Sequence, residues 1–387
     1  MRRVTTTQTL PRTPAKWLEL ARSGPTTGQR PALVAAVYRL WLVAFGLKML
    51  GSTWDMSWHF KWLRDTAAPP HILNTIGTVI VVGLVIYQAR FDIGVDAWAK
   101  RLMVFGTGTF LIAIPIDVIN HELNGLDITA WSASHGLLYL GTAFMLLGCF
   151  RGYWISTAPG RARTVVGAVL WGFFLENVLF PAQHQEYGVL SLQAWRDGAP
   201  TAEPILLEFA AKQLGMSEVN DATVAGFALP VDSWVYPLWI VGAAVLALVA
   251  ARRYLGARWT ATTIAAGYLA YRMVAWILLS GTSFPPSVPP FLLLAGAVVV
   301  DLAFLAIANG YLRAVLGAAL VTTTTAAAAA LQELTIGIPP IDYPAFVLAG
   351  AFLAVAWAGI AGPLRTASLV PAPLPATAAT TETGTRA

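Results

Sequence analysis

Charged residues are scarce in this chain: Asp, Glu, Lys and Arg make up 12% of the 387 residues, while hydrophobic residues make up 57%. Soluble globular domains have about 25% charged residues, so this composition excludes an ordinary soluble domain and indicates a protein of the lipid bilayer. Cysteine is almost absent as well. Cys149 is the only one, which excludes an intrachain disulfide and a cysteine-based metal site. The first thirty residues also lack the apolar stretch of a cleavable signal peptide.

Long apolar runs are what the sequence has instead. A helix needs roughly 20 residues to cross about 30 Å of hydrocarbon, and the alternating pattern of a membrane barrel is missing. Because backbone amides in lipid must be paired internally, we predict an all-α, polytopic integral membrane helical bundle. About ten transmembrane helices are expected, at residues 32–52, 71–91, 101–121, 133–152, 163–183, 234–254, 260–281, 291–312, 313–333 and 345–363.

The distribution of charge predicts how these spans are oriented. The N-terminal thirty residues carry six basic residues against one acid, Glu19, and each even-numbered connection is basic. The longest connection, residues 184–233, is instead acidic. Cytoplasmic loops are enriched in Lys and Arg, so we expect both termini in the cytoplasm of a multi-pass plasma-membrane protein. The net charge of +5 suits anionic lipid headgroups, and no nucleic-acid partner is expected.

These signals divide the chain into five regions. We predict a basic cytoplasmic arm (1–31), a five-helix membrane region that carries the histidines (32–184), an acidic extracytoplasmic loop (185–233), a five-helix membrane region with Pro-Pro outer loops (234–363) and a disordered cytoplasmic tail (364–387). Within the second membrane region, Arg272 and Asp301 both fall near the expected midplane. Because an isolated charge there is costly, we predict that the two form an ion pair.

All five histidines fall at the predicted outer face of the first five spans. Asp55 and His59 are spaced i, i+4, as are Asp117 and His121, so each pair shares one helix face. Imidazole and carboxylate are ligands for copper, zinc or iron. A lone histidine at a membrane interface is ordinarily an amphipathic cap, but five on one face beside acids favour a metal site. The candidate metal ligands are Asp55, His59, His71, Asp117, His121 and His135. An additional metal or proton site is predicted at Glu176, His184 and Glu186.

Two spacings within residues 50–150 resemble a known family. Asp55, His59 and His71 read D-x3-H-x11-H, with Arg64-Asp65-Thr66 and a proline pair before the last histidine. Asp117, His121 and His135 read D-x3-H-x13-H. This order resembles the C subunit of the particulate methane and ammonia monooxygenases, copper enzymes of membranes, whose first motif is one residue longer and whose second begins with asparagine. The resemblance implies a copper site at the first three residues and an alternative site that shares His71 with Asp117 and His121.

Three functions remain open at this point. The first is a copper-dependent oxidoreductase, or a subunit of one, that uses O2 to oxidise a small apolar substrate at an outward-facing site; zinc and iron are less favoured than copper. The second is a non-redox metal-binding or metal-transporting protein that uses the same ligands. The third is a haem b carrier, which is less favoured because no histidine reaches the predicted inner leaflet. Besides the bilayer, other membrane subunits or a second copy of the chain are the expected partners.

Overall fold

The computed structural model describes residue 11 and residues 13–63, 67–124 and 129–361, apart from the side chains of Pro14, His121 and Asn124. Regular secondary structure in these residues is helical throughout. The Arg64-Asp65-Thr66 element and the predicted tail 364–387 lie outside the described residues, as do residues 1–10 of the predicted arm.

The helices follow the predicted apolar runs closely. They are α1 (Pro14–Ser23), α2 (Arg30–His59), α3 (Pro69–Phe91), α4 (Ala97–Asn124), α5 (Ala133–Ser156), α6 (Arg161–Arg196), α7 (Pro204–Gln213), α8 (Asp221–Ala228), α9 (Val235–Trp239), a π-helical turn (Ile240–Val245), α10 (Leu246–Leu255), α11 (Thr260–Gly281), α12 (Phe291–Ala306), α13 (Gly310–Thr335) and α14 (Ala345–Ala361). Val235 to Leu255 is continuous helix, because the π-helical turn joins α9 directly to α10.

Eight of the described helices are long and apolar enough to cross a membrane. The helices α12 and α14 coincide with the predicted eighth and tenth spans but contain 16 and 17 residues. A helical fold for the described residues, with helices long and apolar enough to span a membrane, is therefore confirmed, while the number ten and the cytoplasmic position of the termini stay predictions.

The central element is α6. In the first half of the chain, α2 pairs with α3 and α4 pairs with α5, whereas α12, α13 and α14 pair in sequence in the second half. Helix α6 contacts α2 and α5 on one side and α10 and α11 on the other. The two membrane regions thus meet across α6, and the hydrophobic core runs through both of them without interruption.

The predicted acidic loop 185–233 is largely helical. Helix α6 continues past the expected end of the fifth span to Arg196, and α7 and α8 follow it. Apolar residues explain this: Phe60, Tyr187, Leu206 and Phe227 are buried in a second hydrophobic cluster. At Gly188 a Cβ atom would overlap the backbone of α8, so glycine is what allows α8 to pack against α6.

The predicted Arg272–Asp301 ion pair is wrong. A terminal nitrogen of Arg272 lies 2.8 Å from Oε2 of Glu186, and both side chains are fully buried. Asp301 is instead 2.9 Å from Nε of Arg252 and accepts hydrogen bonds of 2.8 Å from the backbone N–H and the hydroxyl of Thr262. Because Thr262 and Arg272 are ten residues apart on α11, the Cα atom of Arg272 lies about 15 Å further along that helix. Helix α12 ends at Ala306 and not at the predicted residue 312. Asp301 therefore lies near the end of its helix and not at its middle.

Candidate metal centre and membrane cavity

The first predicted ligand set meets where α2 and α3 approach each other. His59 is the last residue of α2, and Asp55 precedes it by one helical turn. Pro69 and Pro70 open α3 and place His71 in its first turn. Proline suits this position because the first N–H groups of a helix have no partner within it. The two helices, packed side by side, therefore bring the three side chains to the same end of the pair.

The three side chains converge on one point. Nε2 of His71 lies 2.8 Å and Nε2 of His59 lies 3.4 Å from the same oxygen, Oδ1 of Asp55. Their ligand atoms all lie within 4.8 Å of one another, and the imidazole ring centres are 5.5 Å apart. Oδ1 of Asp55 is buried, and the two imidazole nitrogens are its polar neighbours at these distances.

This geometry fits a metal ion. With metal–nitrogen and metal–oxygen bonds of about 2.0–2.2 Å, neighbouring ligands in a tetrahedral or square arrangement stand about 2.8–3.5 Å apart. The measured separations of 2.8 and 3.4 Å fall in that range. Two imidazoles and one carboxylate leave further coordination positions for water or substrate, as at a catalytic site rather than a structural one.

The second ligand set is brought together in part. Asp117 lies on α4, and the hydroxyl of Ser134 donates a 2.9 Å hydrogen bond to its Oδ1. His135, in the first turn of α5, has Nε2 3.9 Å from the same oxygen, while its Nδ1 lies 3.1 Å from the carbonyl oxygen of Thr129. The side chain of His121 lies outside the described residues. The structure thus places Asp117 beside His135, and a site shared with His121 stays a prediction.

The third set, Glu176, His184 and Glu186, is divided among different roles, which contradicts a single site. Glu186 is bonded to Arg272 and accepts a 3.0 Å hydrogen bond from the hydroxyl of Tyr236. Glu176 accepts one from the hydroxyl of Thr53 at 3.1 Å.

His184 is a structural residue in this arrangement. Its Nε2 lies 3.1 Å from the carbonyl oxygen of Phe227, and its Nδ1 accepts a 3.4 Å hydrogen bond from the backbone N–H of Ala130. Both ring nitrogens are therefore occupied by backbone groups and neither is directed to a metal. The three residues share one helix, α6, but side chains on different faces of one helix have different neighbours.

A cavity of about 300 Å³ joins the predicted residues. Asp55, His59 and His71 line it together with Asp117, His135, Glu176 and His184. The aromatic residues Phe45, Phe110 and Phe173 form much of its apolar wall. Of the aromatic residues next to the first motif, Phe60 and Trp62 line the cavity, while Trp54, Trp58 and Trp62 pack against Phe284. The cluster of Asp55, His59 and His71 thus opens onto a mostly apolar space.

Sequence reasoning missed Lys48, which also lines the cavity. Its Nζ donates 2.9 Å hydrogen bonds to Asn74 and Thr78 and lies 4.2 Å from the centre of the ring of Phe110. The signal was present, because a lone lysine inside an apolar span is costly and usually functional. Asn74 on α3 was the second such signal.

No protein-family model, curated protein or solved structure matches this chain. The resemblance to the monooxygenase C subunit therefore rests on the residues and spacings of the two motifs.

Proposed function

We propose that the protein binds copper in the membrane and oxidises a small, mostly apolar substrate with O2, as its resemblance to the C subunit of copper membrane monooxygenases implies. The observation that carries the proposal is the convergence of Asp55, His59 and His71 at the wall of an apolar cavity. Oxygen insertion converts RH, O2, two electrons and two protons into ROH and water, and an external reductant supplies the electrons.

Each group of residues has a distinct part in this function. Asp55, His59 and His71 hold the metal, and the carboxylate offsets part of its charge. Bound copper would supply the binding and reduction of O2. Phe45, Phe110 and Phe173 present apolar surface that excludes water and accommodates the hydrocarbon part of a substrate. An apolar space beside a redox metal is what a hydrocarbon oxidation requires, since the substrate must reach the metal without a polar handle.

Metal transport is the weaker function for the same cavity. A cation that moved inward through it would pass Lys48, whose side chain is buried on the cavity wall and presents a nitrogen in place of the carboxylate oxygens that a cation path would need. Non-redox metal binding without transport uses the same three ligands. The isotope experiment described below distinguishes it from oxidation of a substrate.

Copper retention tests the metal centre. Wild type, His71→Ala and a matched control, His184→Gln, are purified in mild detergent, loaded with copper and desalted identically. We expect about one copper per chain in wild type and the control, and at least a tenfold loss in His71→Ala, because that change removes one of three ligands. Electron paramagnetic resonance of the wild type should show coupling to imidazole nitrogen. Equal copper content in wild type and His71→Ala would contradict the site.

Isotope incorporation tests the reaction. Copper-loaded protein is supplied with a reductant, a series of short alkanes and ¹⁸O2. We expect ¹⁸O in the alcohol product of wild type and none with His71→Ala. Retained copper without labelled product from any alkane would favour non-redox metal binding.

A further inference from the structure

Three arginines come together at one end of the second membrane region. Arg252 and Arg253 lie in the last turn of α10, and Arg313 lies in the first turn of α13. The guanidinium carbons of Arg252 and Arg313 lie 5.0 and 4.2 Å from the ring centre of Phe304 on α12. Because both lie near one ring, they are less than about 10 Å apart, the screening length in 0.1 M salt. Arg253 is also close enough for its charge to repel that of Arg313.

This arginine cluster has more positive charge than the described acids compensate. Asp301 is fully buried, and its Oδ1 lies 2.9 Å from Nε of Arg252. No described carboxylate lies within ion-pair distance of Arg253 or Arg313. Arg313 donates a 3.1 Å hydrogen bond to the carbonyl oxygen of Ile307, while its Nε is buried and has no hydrogen-bond partner among the described residues. Arginine keeps its charge at such positions, so the cluster attracts an anion.

The helix surface next to the arginine cluster is apolar and exposed. Leu312 and Leu316 flank Arg313 on α13, and Leu305 is exposed near the end of α12. At the end of a membrane-spanning helix, such surface contacts the acyl chains of lipids. A phospholipid carries a phosphate directly above its acyl chains, so one molecule matches both the charge and the apolar surface. The planar guanidinium also suits a phosphate, because it can donate two parallel hydrogen bonds to two phosphate oxygens.

We propose that the arginine cluster binds the phosphate of one anionic phospholipid, whose acyl chains lie along α12 and α13. A zwitterionic phospholipid fits less well, because its headgroup brings a cation into a region that already has excess positive charge. Basic pockets between membrane helices are a known setting for anionic headgroups. Free phosphate would satisfy the arginines and leave Leu305, Leu312 and Leu316 without a partner from the same molecule.

The lipid site is remote from the candidate metal centre. The ring of Tyr254, next to Arg253, lies 6.5 Å from that of Trp171 on α6. His184, which lines the cavity, follows Trp171 by thirteen residues on the same helix, a distance of about 20 Å along its axis. The proposal therefore does not depend on copper binding or on oxidation.

Titration with single lipid species tests the charge requirement. Delipidated protein in mild detergent is titrated with dioleoyl phosphatidylglycerol, which is anionic, and with dioleoyl phosphatidylcholine, which has the same acyl chains and no net charge. Native mass spectrometry gives the dissociation constant of the first lipid bound. Because two arginines of the cluster lack an acidic partner, we expect phosphatidylglycerol to bind at least about tenfold more tightly. An excess of glycerol 3-phosphate, which lacks acyl chains, should not displace it.

Charge-removing variants locate the site. Arg253→Gln with Arg313→Gln should bring the two lipid affinities within about twofold of each other, while Arg252 keeps its ion pair with Asp301. The matched control, Arg90→Gln with Arg101→Gln, removes two exposed arginines that lie beside aromatic rings on α3 and α4, and should keep the wild-type ratio. If the Arg313→Gln chain does not fold, the exposed Arg253→Gln alone should weaken phosphatidylglycerol binding about threefold and leave phosphatidylcholine binding unchanged.

Equal wild-type affinity for the two lipids would overturn the proposal. So would a preference that the double variant retains, or one that the control pair loses to the same extent, since either result would place the lipid elsewhere. Displacement by glycerol 3-phosphate would show a site for a free phosphate compound instead of a lipid. His71→Ala should keep the wild-type lipid preference, so the outcome for copper and the outcome for lipid are read separately.

Discussion

Replacement of Arg272 tests how the two membrane regions are joined. The guanidinium is fully buried and donates to Tyr268 at 2.7 Å and Ser287 at 2.5 Å, in addition to its ion pair with Glu186. Arg272→Met fills a similar volume but leaves the carboxylate of Glu186 with Tyr236 as its remaining side-chain donor among the described residues. Removing one partner of a buried ion pair costs about 3–5 kcal/mol, so we expect a loss of that size in the free energy of unfolding.

A double-mutant cycle identifies the partner. If two changes acted independently, Arg272→Met with Glu186→Gln would cost the sum, about 6–10 kcal/mol. Because the double variant removes both members of the Arg272–Glu186 pair, we expect it to be more stable than that sum by at least about 2 kcal/mol. The matched cycle of Arg272→Met with Asp301→Asn should be additive within about 0.5 kcal/mol, since Asp301 is bonded to Arg252 and Thr262.

The assay is reversible unfolding in mixed micelles, with the fraction folded followed by tryptophan fluorescence. Additivity with Glu186→Gln together with strong coupling to Asp301→Asn would refute the pairing described here. That result would instead support the Arg272–Asp301 pair, which was predicted from the positions of the two residues in their spans.

Two further predictions concern stability at low pH and the orientation of the chain. Burial alone would raise the pKa of Asp96, but its bonds to the guanidinium of Arg151 at 2.6–3.1 Å outweigh burial and lower that pKa. The stabilisation from this ion pair is complete at pH values above the unfolded-state pKa of Asp96, about 3.9, and is lost as pH falls through the lower pKa of the folded state. The melting temperature of wild type should therefore show this loss at low pH, and that of Asp96→Asn should not. For orientation, in a Cys149→Ala background, Ala67→Cys should react with an impermeant thiol reagent outside intact cells and Ser156→Cys only after lysis; labelling of Ser156→Cys in intact cells would reverse the predicted topology.

The helices were predictable because their signal is local. A run of roughly 20 apolar residues must be helical in a bilayer, whatever its neighbours are, and each predicted span overlaps a helix of the structure. Helix α12 was predicted too long, to residue 312 instead of Ala306, because composition cannot locate the residue at which a helix stops. The turns of α6 beyond residue 183 were missed because they are buried by α8 and the N-terminal half of the chain, which hydropathy does not record.

The first ligand set was predictable for a similar reason. Asp55 and His59 are one helical turn apart, and His71 follows after a connection too short to carry it to another part of the bundle. The local spacing therefore nearly determined the geometry. The glutamates of α6 were different, since their spacing along the helix says nothing about which neighbour each one faces.

The sequence by itself thus determined the helices and the clustering of Asp55, His59 and His71 at the junction of α2 and α3, because each depends on interactions within about one turn or one hairpin. Only the tertiary structure decided the ion-pair partners of Arg272 and Asp301 and the backbone contacts of His184. Those contacts join residues of different segments that are about 40 to 90 positions apart in the sequence. The energetic cost of a buried charge or polar group shows that a partner is needed, but only packing selects which one.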